Sequence, residues 1–288
     1  MNKIIQWLGK NKVLAVLAGF ALYLFIVAFH DEVTDLVIKM RNAIGTDTFN
    51  KFLAYIFLVI LIIVLLILFY QSLKDGQKLL KISLSVIATS MMVISFRLLM
   101  VYNIEAIHFI EYMLVAMIFF PVIRNYGETV FWVTILGMLD ELFQYRFLTP
   151  DFGYFDFNDV TLNLLGAGTG MVIIFTAGAR GLELRRIKWY RSPAFLTGTG
   201  LLAIFIILVM LQKISMNPVD TAGTWYSINR ESLPDEFWTE AYPGRRFHIL
   251  RPTEGIILMI MLLTGFSILD LSFKPQRRSK DFTKSHKV

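Results

Sequence analysis

Long apolar runs alternate along this chain with short polar stretches. A helix needs about 20 apolar residues to cross the hydrocarbon core of a bilayer, and eight runs approach that length. They cover residues 13–29, 52–70, 82–102, 104–123, 130–148, 160–177, 194–212 and 255–273. The pattern therefore predicts an all-α fold, a polytopic transmembrane helix bundle of about eight spans.

Two of the polar stretches predict elements at the membrane surface. Residues 30–51 carry Val33, Leu36, Val37 and Met40 at helical spacing, which is typical of an amphipathic helix in the interface. Residues 213–251 form the longest stretch between spans, and their aromatic residues suit the headgroup level. These are Trp225, Tyr226, Trp238, Tyr242 and Phe247, followed by His248. The alternative is that this stretch covers a site on the outer face.

The charges of successive turns alternate in sign. Lys74, Arg124 and Arg185 lie in basic turns, whereas Asp35, Asp151 and other acidic residues lie in the turns between them. Basic turns stay on the cytoplasmic side of a membrane. The chain is therefore predicted to be a multi-pass protein of the cytoplasmic (inner) membrane, with both termini in the cytoplasm.

Composition supports this class and narrows the partners. Of 288 residues, 56% are hydrophobic and 17% charged, and the mean hydropathy is +0.60. The net charge of +6 comes from basic blocks beside spans, in residues 180–191 and 274–287. Such blocks favour contact with membrane lipids over nucleic acid. There is no cysteine, which excludes disulfides and thiol chemistry.

Charged and amide side chains inside spans are costly and usually mark a site or a polar cavity. Here they recur at spacings of three or four residues near the predicted outer ends of three consecutive spans, so that each set shares one helix face. The residues are His108, Glu111 and Tyr112, then Asp140, Glu141 and Gln144, then Asp159 and Asn163. Arg97 is the expected counter-charge, and Gly166 and Gly170 predict close helix packing.

Several interpretations of this group stay open. His108, Glu111, Asp140, Glu141 and Asp159 are candidate catalytic acids and bases, because clustered buried carboxyls raise one another's pKa towards neutrality. The same oxygens and His108 are also candidate ligands of a divalent cation. Arg97, Tyr112, Gln144 and Asn163 are candidate ligand-binding residues, for binding or transport. A structural network of interhelical hydrogen bonds is the remaining possibility. The pattern identifies no cofactor, and it leaves open whether the protein is an enzyme.

These residues also carry a family resemblance. The string His108-Phe-Ile-Glu111-Tyr112, then Asp140-Glu141-x-x-Gln144, then Asp159-x-x-x-Asn163-x-x-Gly166-x-x-x-Gly170 resembles the VanZ-like family over about residues 97–177. Glu105 stands where that family usually has a basic residue, and residues 145–154 replace its Pro-Gly-Arg loop. The resemblance implies a multi-pass cell-envelope protein, sometimes linked to antibiotic (teicoplanin) resistance. A lipid-linked cell-wall intermediate or a glycopeptide is the implied type of ligand.

The chain is accordingly predicted to have three parts. Residues 1–96 form an N-terminal membrane segment, and residues 97–180 form the family-like core. Residues 181–288 hold two further spans, an external loop over 213–251 and a basic cytoplasmic tail.

Overall fold

The computed structural model describes residues 2–73, 77–148, 155–177, 182–216, 224–228 and 236–272. The basic tail, parts of the external loop and the centre of the turn between Tyr145 and Tyr154 lie outside these ranges. Helices dominate the described residues, and the prediction of an all-α membrane bundle is confirmed.

The chain begins with three helices: α1 (Asn2–Lys10), α2 (Lys12–Ala28) and α3 (His30–Ile44). The axes of α1 and α2 differ by 108°. The apolar run of the first predicted span lies in α2, and the predicted amphipathic segment forms α3. The sequence patterns did not predict α1, a short helix that buries Ile5 and Leu8 against the end of α6.

Seven longer helices follow. They are α4 (Thr46–Leu73), α5 (Lys78–Leu98), α6 (Ile107–Ile123), α7 (Tyr126–Phe143), α8 (Phe157–Ala177), α9 (Pro193–Met210) and α10 (Pro252–Ser272). A 3₁₀ turn at Asn103–Ala106 leads into α6, and a π-helical turn at Gln144–Leu148 ends α7.

Among the described residues, six helices are long and apolar enough to cross a membrane, or seven if the bent pair of α1 and α2 counts as one span. Helix α7 is not one of them, and it carries the three acidic residues Glu128, Asp140 and Glu141. The count of about eight spans and the cytoplasmic location of both termini stay predictions.

Helix α8 forms the centre of the bundle. In its most apolar 18-residue window 89% of the residues are buried, compared with 6% in α4 and 6% in α9. It packs against α5, α6, α7 and α10. Small residues allow this, because Gly168 lies against the ring of Phe266, and Gly166 and Gly170 lie against the α6 backbone.

At the predicted inner end, two acidic side chains cap helix N-termini in neighbouring elements. The Asp270 carboxylate on α10 accepts hydrogen bonds from the backbone N–H groups of Tyr126 and Gly127, each at 2.8 Å. The Glu128 carboxylate on α7 accepts one from the Ser192 hydroxyl at the start of α9. Negative charge at a helix N-terminus is favourable, so these contacts connect α7 to α9 and α10.

The segment between α9 and α10 contains short strands, which the sequence patterns did not predict. Strand β1 (Ile214–Ser215) pairs in parallel with β2 (Tyr226–Ser227), and β3 (Thr239–Tyr242) pairs antiparallel with β4 (Arg245–Phe247). The β3–β4 hairpin lies at the end of the bundle where α5 ends and α8 begins. This is also the predicted outer end.

Candidate functional site

The polar side chains of α6, α7 and α8 meet at the predicted outer end. His108 Nε2 on α6 lies 3.9 Å from Asp159 Oδ2 on α8. The Tyr112 hydroxyl on α6 donates a 2.8 Å hydrogen bond to Asp140 Oδ2 on α7. Glu111 is within electrostatic range of His108 and Asp140, and Glu141 is within range of Asp140 and Asp159. We call these residues, together with Asn163, the polar cluster. Its members are His108, Glu111, Tyr112, Asp140, Glu141, Asp159 and Asn163.

Close helix packing brings the cluster together. A Cβ at Gly166 would lie 2.6 Å from the Phe109 carbonyl oxygen, and one at Gly170 would lie 2.8 Å from the Met113 carbonyl oxygen. Backbone contact between α6 and α8 along this face sets His108 beside Asp159. The two glycines therefore position the site as well as the helices.

Asn163 joins the cluster through a third glycine. A Cβ at Gly137 on α7 would lie 3.0 Å from the Asn163 Cβ, 3.1 Å from its Nδ2 and 3.2 Å from Tyr112 Cε1. Gly137 lies one helical turn before Asp140 and Glu141. Asn163 and Tyr112 consequently face the same stretch of α7 that carries the two acids.

Several buried polar atoms of the cluster have no hydrogen-bond partner among the described residues. They are His108 Nδ1, Asp140 Oδ1, Glu141 Oε1, Asn163 Nδ2 and Asn163 Oδ1. Asp140 and Asn163 are 0% exposed, Glu141 is 3% exposed and His108 is 5% exposed. A buried polar group without a partner costs about 1–3 kcal/mol, so a concentration of such atoms in one place requires an explanation.

Two residues of the N-terminal helices also reach the cluster. The His30 ring at the start of α3 lies 6.5 Å from the His108 ring, and Tyr23 on α2 is within electrostatic range of Asp140. Burial, and then the nearby His108, lower the pKa of His30, while Asp140 and Asp31 act in the opposite direction. The sequence patterns predicted neither residue. The available signal was that Tyr23 is the only hydroxyl-bearing side chain in α2.

Arg97 and Gln144 differ from the core of the cluster. The Arg97 side chain is exposed, and it forms no ion pair with any described residue, so nothing here supports its predicted role as the counter-charge. Gln144 is half-buried and begins the π-helical turn, three residues after Glu141. Turns of this kind are frequent at functional sites.

The metal interpretation lacks a ligand set in the described part of the chain. No group of three or more His, Cys, Asp or Glu side chains is arranged there to hold a metal ion. The cluster's remaining chemistry consists of carboxyl and amide acceptors, an amide donor and imidazole nitrogens. These groups suit proton transfer or the binding of a polar ligand.

Asn158, which no sequence pattern predicted, holds the segment that precedes α10 beside the cluster. Its Nδ2 donates to the carbonyls of Leu99 and His248, both at 2.8 Å, and its Oδ1 accepts from the Leu250 N–H at 2.9 Å. Asn158 directly precedes Asp159. The hairpin segment is therefore attached to the helix that carries part of the site.

The hairpin makes further contacts with neighbouring helix ends. The Arg245 guanidinium donates to the Met100 carbonyl at 2.7 Å and to the Phe96 carbonyl at 3.2 Å. The Tyr242 hydroxyl accepts from Asn50 Nδ2 at 2.6 Å, and the Tyr242 ring stacks on Tyr102. Tyr242 and His248, predicted as headgroup-level aromatics or as parts of a cover, thus contact the bundle end next to the cluster.

Comparison with known proteins identifies one family. The model of the VanZ/LLP1 family matches residues 52–178. The matched range includes α4 and α5 as well as the helices from Arg97 onwards, so it begins earlier than the sequence resemblance did. No curated protein and no solved structure matched the chain. The predicted division at residues 96 and 180 is not tested by this match.

Proposed function

We propose that this chain, whose residues 52–178 match the model of the VanZ/LLP1 family, binds a glycopeptide of the teicoplanin type or a lipid-linked cell-wall intermediate. The polar cluster would be the binding site, at the outer face of the cytoplasmic membrane. Binding there would lower the sensitivity of the cell to teicoplanin.

The observation that supports this proposal is the set of unpartnered atoms on Asp140, Glu141, Asn163 and His108. Both proposed ligands carry many amide and hydroxyl groups, which donate and accept hydrogen bonds. A bound ligand would give these atoms the partners that the described residues do not provide. Buried polar groups are costly in a membrane environment, so their retention favours a function.

The proposed ligands also suit the expected depth of the cluster. A lipid-linked intermediate holds its polar part at the headgroup level, and the cluster lies near the ends of α6, α7 and α8. The Asp159 side chain is 22% exposed, compared with 7% for His108, so the cluster reaches the protein surface at Asp159.

A structural network is the second candidate. The Tyr112–Asp140 hydrogen bond joins α6 to α7 and favours it. A network that only holds helices together would nevertheless be expected to satisfy its own members, as Asn158 does with three hydrogen bonds. The polar cluster departs from that expectation, which is why ligand binding is our first candidate.

Direct titration tests the proposal. Purified protein in nanodiscs is titrated with teicoplanin and, separately, with a lipid-linked disaccharide-peptide precursor. We expect saturable binding of at least one of them, weakened about tenfold or more by Asp140→Asn, because a charge-assisted hydrogen bond contributes about 1.5–3 kcal/mol.

The matched control is Asp47→Asn, which changes an exposed carboxylate paired only with Lys51. This variant should bind like the unmodified protein. A flat titration of the unmodified protein with both ligands would contradict the proposal. Equal weakening by Asp140→Asn and Asp47→Asn would show that binding does not use the cluster.

A further inference from the structure

We infer that the group of the ligand that enters the polar cluster is a primary ammonium. The inference rests on the proposed function, because it assigns the chemical class of the ligand for the same site. Two observations support it: the excess of carboxyl groups over basic groups in the cluster, and the number of its acceptor atoms without a hydrogen-bond partner among the described residues.

The cluster holds more carboxyl groups than basic groups. Asp140 is within electrostatic range of both Glu111 and Glu141. Among the described residues, no Lys or Arg forms an ion pair with any of these three. His108 is within electrostatic range of Glu111, and His30 is within range of Asp140. A cationic ligand would be attracted to these carboxyl groups and would favour their ionised form, whereas an anionic ligand would oppose that ionisation.

The unpartnered acceptors match the donors of an ammonium group. Asp140 Oδ1, Glu141 Oε1 and Asn163 Oδ1 are buried oxygens without a hydrogen-bond partner in the described part of the chain. The second Asp140 oxygen already accepts from Tyr112. An ammonium donates three hydrogen bonds and accepts none, so its donors equal these three acceptors in number. A hydroxyl donates only one.

Asn163 places its amide against the stretch of α7 that leads to Asp140 and Glu141. Its side chain is 0% exposed and lies against Gly137, one turn before Asp140 and Glu141 on α7. An amide in this position, with neither polar atom bonded, is unlike Asn158 on the same helix. The missing Cβ of Gly137 leaves the Asn163 amide and the Tyr112 ring in contact with the α7 backbone on this side of the cluster.

The test compares ligands that differ only in their amine. Full-length protein in nanodiscs of zwitterionic lipid is titrated with teicoplanin and with teicoplanin whose free amine has been acetylated. The same titrations are made with Asp140→Asn and with Asp47→Asn. Acetylation should weaken binding about tenfold or more to the unmodified protein and to Asp47→Asn, and much less to Asp140→Asn, because the partner of the amine is already altered.

Equal affinity for both forms of teicoplanin would overturn the ammonium inference while leaving the proposed function in place. If neither form binds, n-dodecylamine and N-dodecylacetamide are compared by their effect on the unfolding midpoint. Stabilisation by the amine alone, lost in Asp140→Asn, would support the inference although the proposed glycopeptide ligand would fail. Equal effects of the two amphiphiles would overturn the inference as well.

Discussion

Two asparagines on α8 show how the same side chain serves two different purposes. Asn158 uses its amide for three hydrogen bonds that connect α8 to the end of α5 and to the segment that precedes α10. Asn163 lies five residues later, is completely buried, and has neither amide atom bonded within the described residues. The first amide stabilises the fold. The second carries a desolvation cost that a ligand would relieve.

Substitution of each asparagine by leucine separates these purposes. Asn158→Leu should lower the free energy of unfolding by about 1–3 kcal/mol, since it removes several hydrogen bonds and leaves backbone groups without partners. Asn163→Leu should leave stability unchanged or raise it, because a similar apolar shape replaces an unbonded amide. The measurement is the unfolding midpoint of each purified variant in the same detergent.

The pair also distinguishes the two candidate functions. A loss of stability in Asn163→Leu as large as that in Asn158→Leu would support a structural network. Unchanged stability combined with lost ligand binding would support the proposed binding site.

At the scale of helices, the glycine face of α8 determines where the site forms. Gly166 and Gly170 let α6 approach at backbone distance, and Gly168 accepts the Phe266 ring of α10. Helix α8 packs against α6 and α7, which carry acids of the cluster, and against α10, which carries Asp270. A single helix thereby connects the site to most of the bundle.

Gly166→Ala should destabilise the protein by about 1–3 kcal/mol, because the new methyl group would overlap the Phe109 backbone. Gly200→Ala on α9 is the control, since nothing lies within 4 Å of the position its Cβ would occupy. The control should be neutral or slightly stabilising, given the higher helix propensity of alanine. Thermal unfolding in detergent measures both. Similar midpoints for the two variants would contradict the close α6–α8 contact.

For the whole molecule, orientation in the membrane decides whether the cluster meets extracellular ligands. The prediction of an outer location comes from the alternation of basic and acidic turns. Arg186 lies in a basic loop, and Glu240 lies in the hairpin beside the cluster; both side chains are exposed. These residues should therefore lie on opposite sides of the membrane.

The absence of cysteine allows a direct test of this orientation. In intact cells, a membrane-impermeant maleimide should label Glu240→Cys but not Arg186→Cys, which should react only after lysis. The unmodified chain supplies the unlabelled control. Reversed labelling would place the cluster on the cytoplasmic side and would exclude the proposed extracellular ligands.

Much of this architecture follows from the order of residues. The apolar runs predicted the long helices, because a single segment inside a bilayer can pair its backbone N–H and C=O groups only by forming a helix. The spacing of His108 and Glu111, and of Asp159 and Asn163, predicted which helix faces are polar. Those faces do meet in the bundle.

Other features could not be read from sequence. Tyr23 and His30 reach the cluster but lie in no polar sequence pattern. The contacts of Asn158 and Arg245 depend on backbone carbonyls of distant elements. Arg97 was predicted beside the acids from its depth alone, and its side chain is exposed. The position of a residue along the membrane normal does not determine which neighbour its side chain faces. That direction is known only once the packing of the helices is known.

The sequence by itself determined that this is a helical membrane protein with polar faces on three neighbouring helices, and it carries the resemblance to the VanZ-like family. Only the tertiary structure decided that α8 is central, that α4 and α9 lie outside, and that the cluster leaves buried atoms without partners. The physical reason is that lipid tails are as apolar as leucine side chains. Hydropathy therefore cannot tell a helix that faces lipid from one that faces protein, and partners of buried polar atoms appear only when helices pack.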